Sequence, residues 1–165
     1  MKKSVETPLP ADSLLRDTLP SFDVEDCFIK TLSGRPFSSP KDLLLGIVKH
    51  HPLWIQNLLL FRDFILKPWG LKTPFADLAS EPSGHTFEIG SKIGGFNLIA
   101  FSDTSLVFSF EDKPLTAHIC LSLSADKSEA SLSSRVLFHN SIGKIYFLTA
   151  KPFHKFVFKE LLNCI

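Results

Sequence analysis

The spacing of apolar residues changes along this chain, and each change marks a different kind of element. From Leu115 to Ser124 the alternation is strict. Leu115, Ala117, Ile119, Leu121 and Leu123 fall on one side; Thr116, His118, Cys120, Ser122 and Ser124 fall on the other. A period of two is that of a strand with one buried and one largely polar face, as in antiparallel sheets. The same period predicts strands at 96–101, through Leu106, Phe108 and Phe110, and through Leu132, Ser134, Val136 and Phe138, with Arg135 on the outer side. Turn-forming residues separate them at 102–104, 111–114 and 125–128. An earlier strand is expected over 23–32, closed by a turn at Ser33-Gly34-Arg35-Pro36. His118 and Ser122 should point away from whatever covers Leu115 and Leu121, because a slip of one residue would exchange the two faces.

Elsewhere the period is helical. Ser39-Pro40-Lys41-Asp42 combines a cap, a proline at the first helical position and an acid at the third, so a helix should run over about 40–50. His51-Pro52 interrupts it, since a residue before proline avoids the helical region. Pro52 then opens a second helix through about residue 67, stopped by Pro68 and Gly70, with Trp54, Ile55, Leu58, Leu59, Phe61, Ile65 and Leu66 as a wide apolar face. Residues 71–84 read as a loop. Near the N-terminus, 11–19 holds a helical turn capped by Asp12, and residues 1–10 read as a frayed tail. The longest helix follows the last strand. Asn140 caps it, and Ile142, Tyr146, Thr149, Phe153, Val157 and Leu161 define an apolar face. Lys151, Lys155 and Lys159 are expected in water. Pro152 removes one hydrogen bond and crowds the carbonyl of Leu148, so it should bend this helix without ending it before about Leu162. Strand, two helices, antiparallel meander and long helix make an α+β layout, in one domain spanning residues 1–165.

Composition adds limits. The 165 residues suffice for a real core, and 16 phenylalanines within a 44% hydrophobic content argue for an aromatic interior or cavity. Eighteen basic against seventeen acidic residues leave a net charge of +1, so no global field draws nucleic acid, and no nucleic-acid partner is expected. Three cysteines, Cys27, Cys120 and Cys164, without a repeating spacing suit a reduced cytoplasmic protein. The opening MKKSVETPLP lacks the apolar segment of a signal peptide. The apolar run at 53–66 is too short and too interrupted for an integral membrane segment.

Chemistry-bearing motifs are sparse. There is no Gly-x-Ser-x-Gly, no Gly-Lys-Ser/Thr phosphate loop and no His-Glu-x-x-His or Cys-x-x-Cys, so neither metal nor cofactor is expected. His50 and His51 diverge by about 100° on a helix and share a metal poorly. Gly90 to Gly95 reads as a bend before a strand. His85 reads as a loop residue and His118 lies on the polar face of its strand, which leaves two histidines. His139, beside Asn140 where strand becomes helix, is either a titrating group at a cavity mouth or a hydrogen-bonded junction residue. His154 either faces the interior or lies at the helix boundary. The aromatic set Trp54, Phe61, Phe96, Phe108, Phe110, Phe138, Tyr146 and Phe153 is either a pocket lining or solid core.

Several pieces carry a resemblance: Ala11-Asp12 after proline, Ile93-Gly94-Gly95-Phe96, Phe138-His139-Asn140 followed by Gly143 and Tyr146, and Pro152-Phe153-His154. With the order of elements they resemble the helix-grip fold of the START-like, pollen-allergen-like (SRPBCC) superfamily. The wording is most similar to an uncharacterised domain family within it, found alone or behind a short-chain-dehydrogenase-like NAD-binding domain. No Gly-x-Gly-x-x-Gly of such a partner domain occurs here. The resemblance implies a curved sheet around the last helix, a cavity between them, and no particular reaction. The expected function is binding of a small hydrophobic or amphipathic ligand, with Trp54, Phe61, Phe108, Val136, Phe138, His139, Tyr146 and Phe153 as candidate lining. The alternatives are an enzyme of the same fold using His139, Tyr146 or His154 for proton transfer, and an interaction module with a filled core. The sequence leaves the oligomeric state open.

Overall fold

The computed structural model describes residues 3–33, 37–66, 87–93 and 95–165, without the side chains at 56, 59, 62, 63, 65 and 66. Most of the turn at 33–36, the helix stop at Pro68 and Gly70, the loop at 71–84, His85 and Gly94 lie outside the described residues.

The alternating segments form strands that pair with their neighbours in register. β4 (Phe96–Phe101), β5 (Ser105–Asp112), β6 (Leu115–Leu123) and β7 (Glu129–Phe138) make an antiparallel meander. β2 (Val24–Thr31) returns beside β7, from Val24 opposite Val136 to Thr31 opposite Glu129. Two short strands, β1 (Val5–Glu6) and β3 (Lys92–Ile93), complete an antiparallel order β1-β2-β7-β6-β5-β4-β3 among the described residues.

Local signals set the helices. In α2 (Pro40–His50), Asp42 N–H donates to Ser39 Oγ at 3.2 Å and Pro40 opens the first turn. His51 ends α2 in extended backbone, and α3 (Leu53–Leu66) begins after Pro52. In α4 (Ser141–Asn163), Gly143 N–H donates to Asn140 Oδ1 at 3.0 Å, and Pro152 sits inside the continuous helix. Among the described residues no helix is long and apolar enough to cross a membrane.

The sheet is covered on both faces. On the inner face, α4 lies over β2 and β7 while α2 lies over β5 and β6. There Phe28, Leu121, Leu132, Phe158 and Leu162 form the main core with Leu43 and Ile47. The opposite face carries the short helix α1 (Leu15–Thr18) and the N-terminal segment, whose Leu9 and Leu15 pack on Cys27, Val107 and Cys120.

Several expectations change. The short N-terminal helix begins after Leu14 with no side-chain cap, not under Asp12. The tail is tied down from Ser4 onward. Val5 and Glu6 pair with Ile29 and Phe28, Ser4 N–H donates to Asn163 Oδ1 at 2.8 Å, and Leu9 is buried. The predicted strand face holds, because Leu115, Leu121 and Leu123 point to the helices, but the polar face is not solvated. His118 and Arg135 are 6% and 3% exposed, under the covering N-terminal segment. Finally, α4 is turned by about one residue, near 100°. Its buried residues are Gly143, Phe147, Val157, Phe158 and Leu162, and Phe153 is 58% exposed. Apart from its row of lysines, α4 carries apolar residues on several sides, so its periodicity allowed more than one seam. Gly143 decides the choice by packing against the β5–β6 turn, where an added Cβ would lie 2.0 Å from the Pro114 carbonyl oxygen.

Candidate functional site

Among the described residues, the middle of the inner face is only partly covered, which leaves a shallow strip. β6 sits near the middle of the sheet, and Leu121 and Leu123 at one end and Leu115 at the other are buried. Between them Ala117 and Ile119 are only half-buried. The strip falls between α2 and α4, whose contacts lie over different strands. Its wall is apolar. Phe96, Leu98, Leu106 and Phe108 form one cluster, Leu115, Val136 and Phe147 another, and Phe110 packs against both. Phe138 and Tyr146 border the second cluster, with the Phe138 and Phe147 rings 5.7 Å apart.

A polar group adjoins it beneath α4. His154 Nε2 and Ser134 Oγ lie 3.1 Å apart, and the imidazole packs between Phe147 and Phe158 at ring separations of 5.4 and 4.1 Å. Burial, with Lys155 and Lys151 nearby, pushes the His154 pKa down to about 4. The ring is therefore neutral at physiological pH and acts as a hydrogen-bond donor or acceptor, not as an acid. Opposite Ser134 in register stands Asp26, 4% exposed, whose Oδ1 receives Lys155 Nζ at 3.1 Å. Lys155 also reaches Glu6 Oε1 at 2.5 Å, so it is an internal tie and not the solvated lysine expected from spacing. Ser134 is itself only 1% exposed, which leaves no accessible hydroxyl for nucleophilic chemistry.

The candidate residues divide. Phe108, Val136, Phe138 and Tyr146 border the strip. His139 is exposed, with Nε2 2.9 Å from Thr116 Oγ1. Trp54, Phe61 and Phe153 are 37%, 62% and 58% exposed on α3 and α4, and the Trp54 ring stacks on Phe156 at 5.2 Å. Ala117, Ile119 and Ser134 also face the strip or its polar neighbour, although no motif singles them out. The signal was in the alternation, since all three share the inner face with Phe108 and Val136.

Two other regions carry no chemistry. An open depression of about 600 Å³ lies between the start of α2 and the β4–β5 and β6–β7 turns, lined in part by Ser38, Lys41, Phe87 and Lys127. Several of its groups are engaged: Lys41 sits over the Phe87 ring at 4.4 Å, Ser38 Oγ donates to the Asp42 carboxylate, and Ser39 Oγ accepts from the Asp42 N–H. Cys27 and Cys120 flank Ser133 on neighbouring strands, two strand spacings or about 10 Å apart, too far for a disulfide. Burial raises both thiols to about 11, so they are inert core residues. Among the described residues no three His, Cys, Asp or Glu side chains gather as a metal site would need.

The arrangement defines an α+β protein with a long C-terminal helix laid on one half of an antiparallel sheet, beside an apolar strip. Residues 18–161 match a family described as protein of unknown function (DUF2867), and the chain belongs to that family. No curated protein matches the chain, and no solved structure does.

Proposed function

We propose that this protein is a helix-grip-type binding module that holds a small apolar or amphipathic molecule against the inner sheet face between α2 and α4. The observation behind this reading is the half-burial of Ala117 and Ile119 in mid-sheet, where a filled core would leave them covered. In this reading Phe108, Phe110, Val136 and Phe138 supply the apolar wall and Tyr146 the rim. A ligand held there would be recognised by shape and apolar area, because the adjoining His154–Ser134 pair is uncharged.

Titration with an environment-sensitive hydrophobic dye tests the site, together with mass spectrometry of small molecules released on denaturation. Ala117→Phe should fill the strip and weaken dye binding about tenfold or more with the melting temperature little changed. Ile145→Glu, on the outer side of α4, should leave strip binding intact. Dye affinity that ignores Ala117→Phe but collapses with Ile145→Glu would overturn the reading and favour an interaction surface.

A further inference from the structure

Fourteen large hydrophobic side chains are exposed among the described residues, and ten of them belong to α3 and α4. Scattered exposure needs no explanation, but concentration on two adjoining helices does. Leu53, Phe61 and Phe64 of α3 and Ile145, Phe153 and Phe156 of α4 are between 52% and 76% exposed. The stacking of Trp54 on Phe156 joins the two stripes into one surface. We propose that this α3–α4 surface docks the protein onto an anionic lipid bilayer, with the aromatic and aliphatic side chains entering the headgroup–acyl boundary.

Charge selects that partner. α4 carries Lys144, Lys151, Lys155 and Lys159 against a single acid, Glu160, near its far end. Lys155 is bound to Glu6 and Asp26, and Lys159 lies over the Phe28 ring at 5.5 Å. Lys144 and Lys151 form no salt bridge to a described residue, and they interleave with Ile145 and Leu148 along the helix. Lys49 and His50 stand exposed at the end of α2, just before Leu53 and Trp54. The sequence of α3 carries one basic and one acidic residue and so no net charge. A second copy docked by the same patch would bring a second set of these lysines to the interface, with no surplus carboxylate among the described residues of the patch to receive them. Anionic headgroups supply that charge, and lysine stems can run along apolar surface while their ammonium groups stay at the headgroup level. The chain as a whole carries only +1, so the attraction is local to this face.

The test is cosedimentation of the full chain with vesicles of pure phosphatidylcholine and with vesicles in which about a third of the lipid is phosphatidylserine. Light scattering of the lipid-free protein runs alongside. The wild type should pellet with the anionic vesicles and far less with the neutral ones. Ile145→Glu with Phe153→Glu, and separately Lys144→Glu with Lys151→Glu, should each weaken binding about tenfold or more. Circular dichroism checks that both variants remain folded. Absence of wild-type binding to anionic vesicles overturns the proposal, and so does equal binding by both variants. A dimer in solution that Ile145→Glu dissociates would assign the face to a second copy and overturn it as well. Dye binding at the inner strip is measured separately through Ala117→Phe, so the two readings fail independently.

Discussion

Gly143 is a residue at which two general effects oppose one another. In an exposed helix interior, alanine for glycine gains about 1 kcal/mol. Here the added Cβ would lie 2.0 Å from the Pro114 carbonyl oxygen and 2.8 Å from its carbon, and backbone cannot swing aside. Overpacking of this kind costs about 1–3 kcal/mol or more, so the clash wins. His139 N–H also donates to Pro114 O at 2.9 Å, so a shift of α4 would break a second contact. Gly143→Ala should lower the melting temperature by about 2–8 °C. Gly46→Ala is the control: its Cβ would meet the Phe37 ring at 2.8 Å, a side chain that can move, and the change should be near neutral. Equal melting temperatures for Gly143→Ala and the wild type would mean that α4 does not depend on this close approach.

At the scale of elements, the least expected feature is the role of Arg135 under α1. Its Nε and Nη2 both reach Glu25 Oε2, at 2.8 and 2.7 Å, and Nη1 donates to the Leu19 carbonyl at 2.9 Å. The guanidinium also lies 4.1 Å from the Phe22 ring. A four-residue helix has little stability of its own, so this clasp with Leu9 and Leu15 holds it on the sheet. Arg135→Met should cost about 2–4 kcal/mol in urea unfolding, because Glu25 and the Leu19 carbonyl lose a buried partner. It should also expose residues 11–20 to proteolysis. Glu25→Gln added to Arg135→Met should recover part of the loss. A single variant within about 0.5 kcal/mol of wild type would dismiss the clasp. The same residue shows where the sequence stops being legible. Caps at Ser39 and Asn140, the break at His51-Pro52 and the two-residue period located nearly every element, because each signal is local. Which faces are covered is a long-range matter. An alternating arginine looks solvated until a chain segment more than a hundred residues away lies over it. The candidate site was half-legible for the same reason. Strand parity put Phe108, Val136 and Phe138 on one face, but the rotation of α4 depends on Gly143 meeting Pro114 and on His154 meeting Ser134.

For the molecule as a whole, the buried histidines give folding a definite pH dependence. His154 is held down to about 4 from an ordinary value near 6.5, first by burial and then by the positive charges of Lys155 and Lys151. His118 is shifted the same way by burial, partly offset by Glu111. A histidine with a depressed folded pKa favours the native state fully above its unfolded pKa, since the unfolded chain binds the extra proton below it. Stability should therefore be flat above about pH 6.5, fall as pH drops from 6.5 towards 4, and cease to fall on this account below 4. The His154 shift is worth at most about 3 kcal/mol, and about 2 is the expected loss because the ring keeps some solvent contact. Carboxylates act in a lower window: Glu6 is lowered chiefly by its bond to Lys155, and Asp126 to about 2 by Ser124 and Ser128. Urea unfolding at pH 7.5, 5.5 and 4.5 measures the histidine slope. His154→Gln keeps a group able to bond Ser134 but cannot titrate, so it should flatten most of the decline while lowering stability modestly at pH 7.5. A slope unchanged in His154→Gln would show that the imidazole is already solvated in the folded protein, and that the contact between α4 and β7 is looser than the Ser134 hydrogen bond implies.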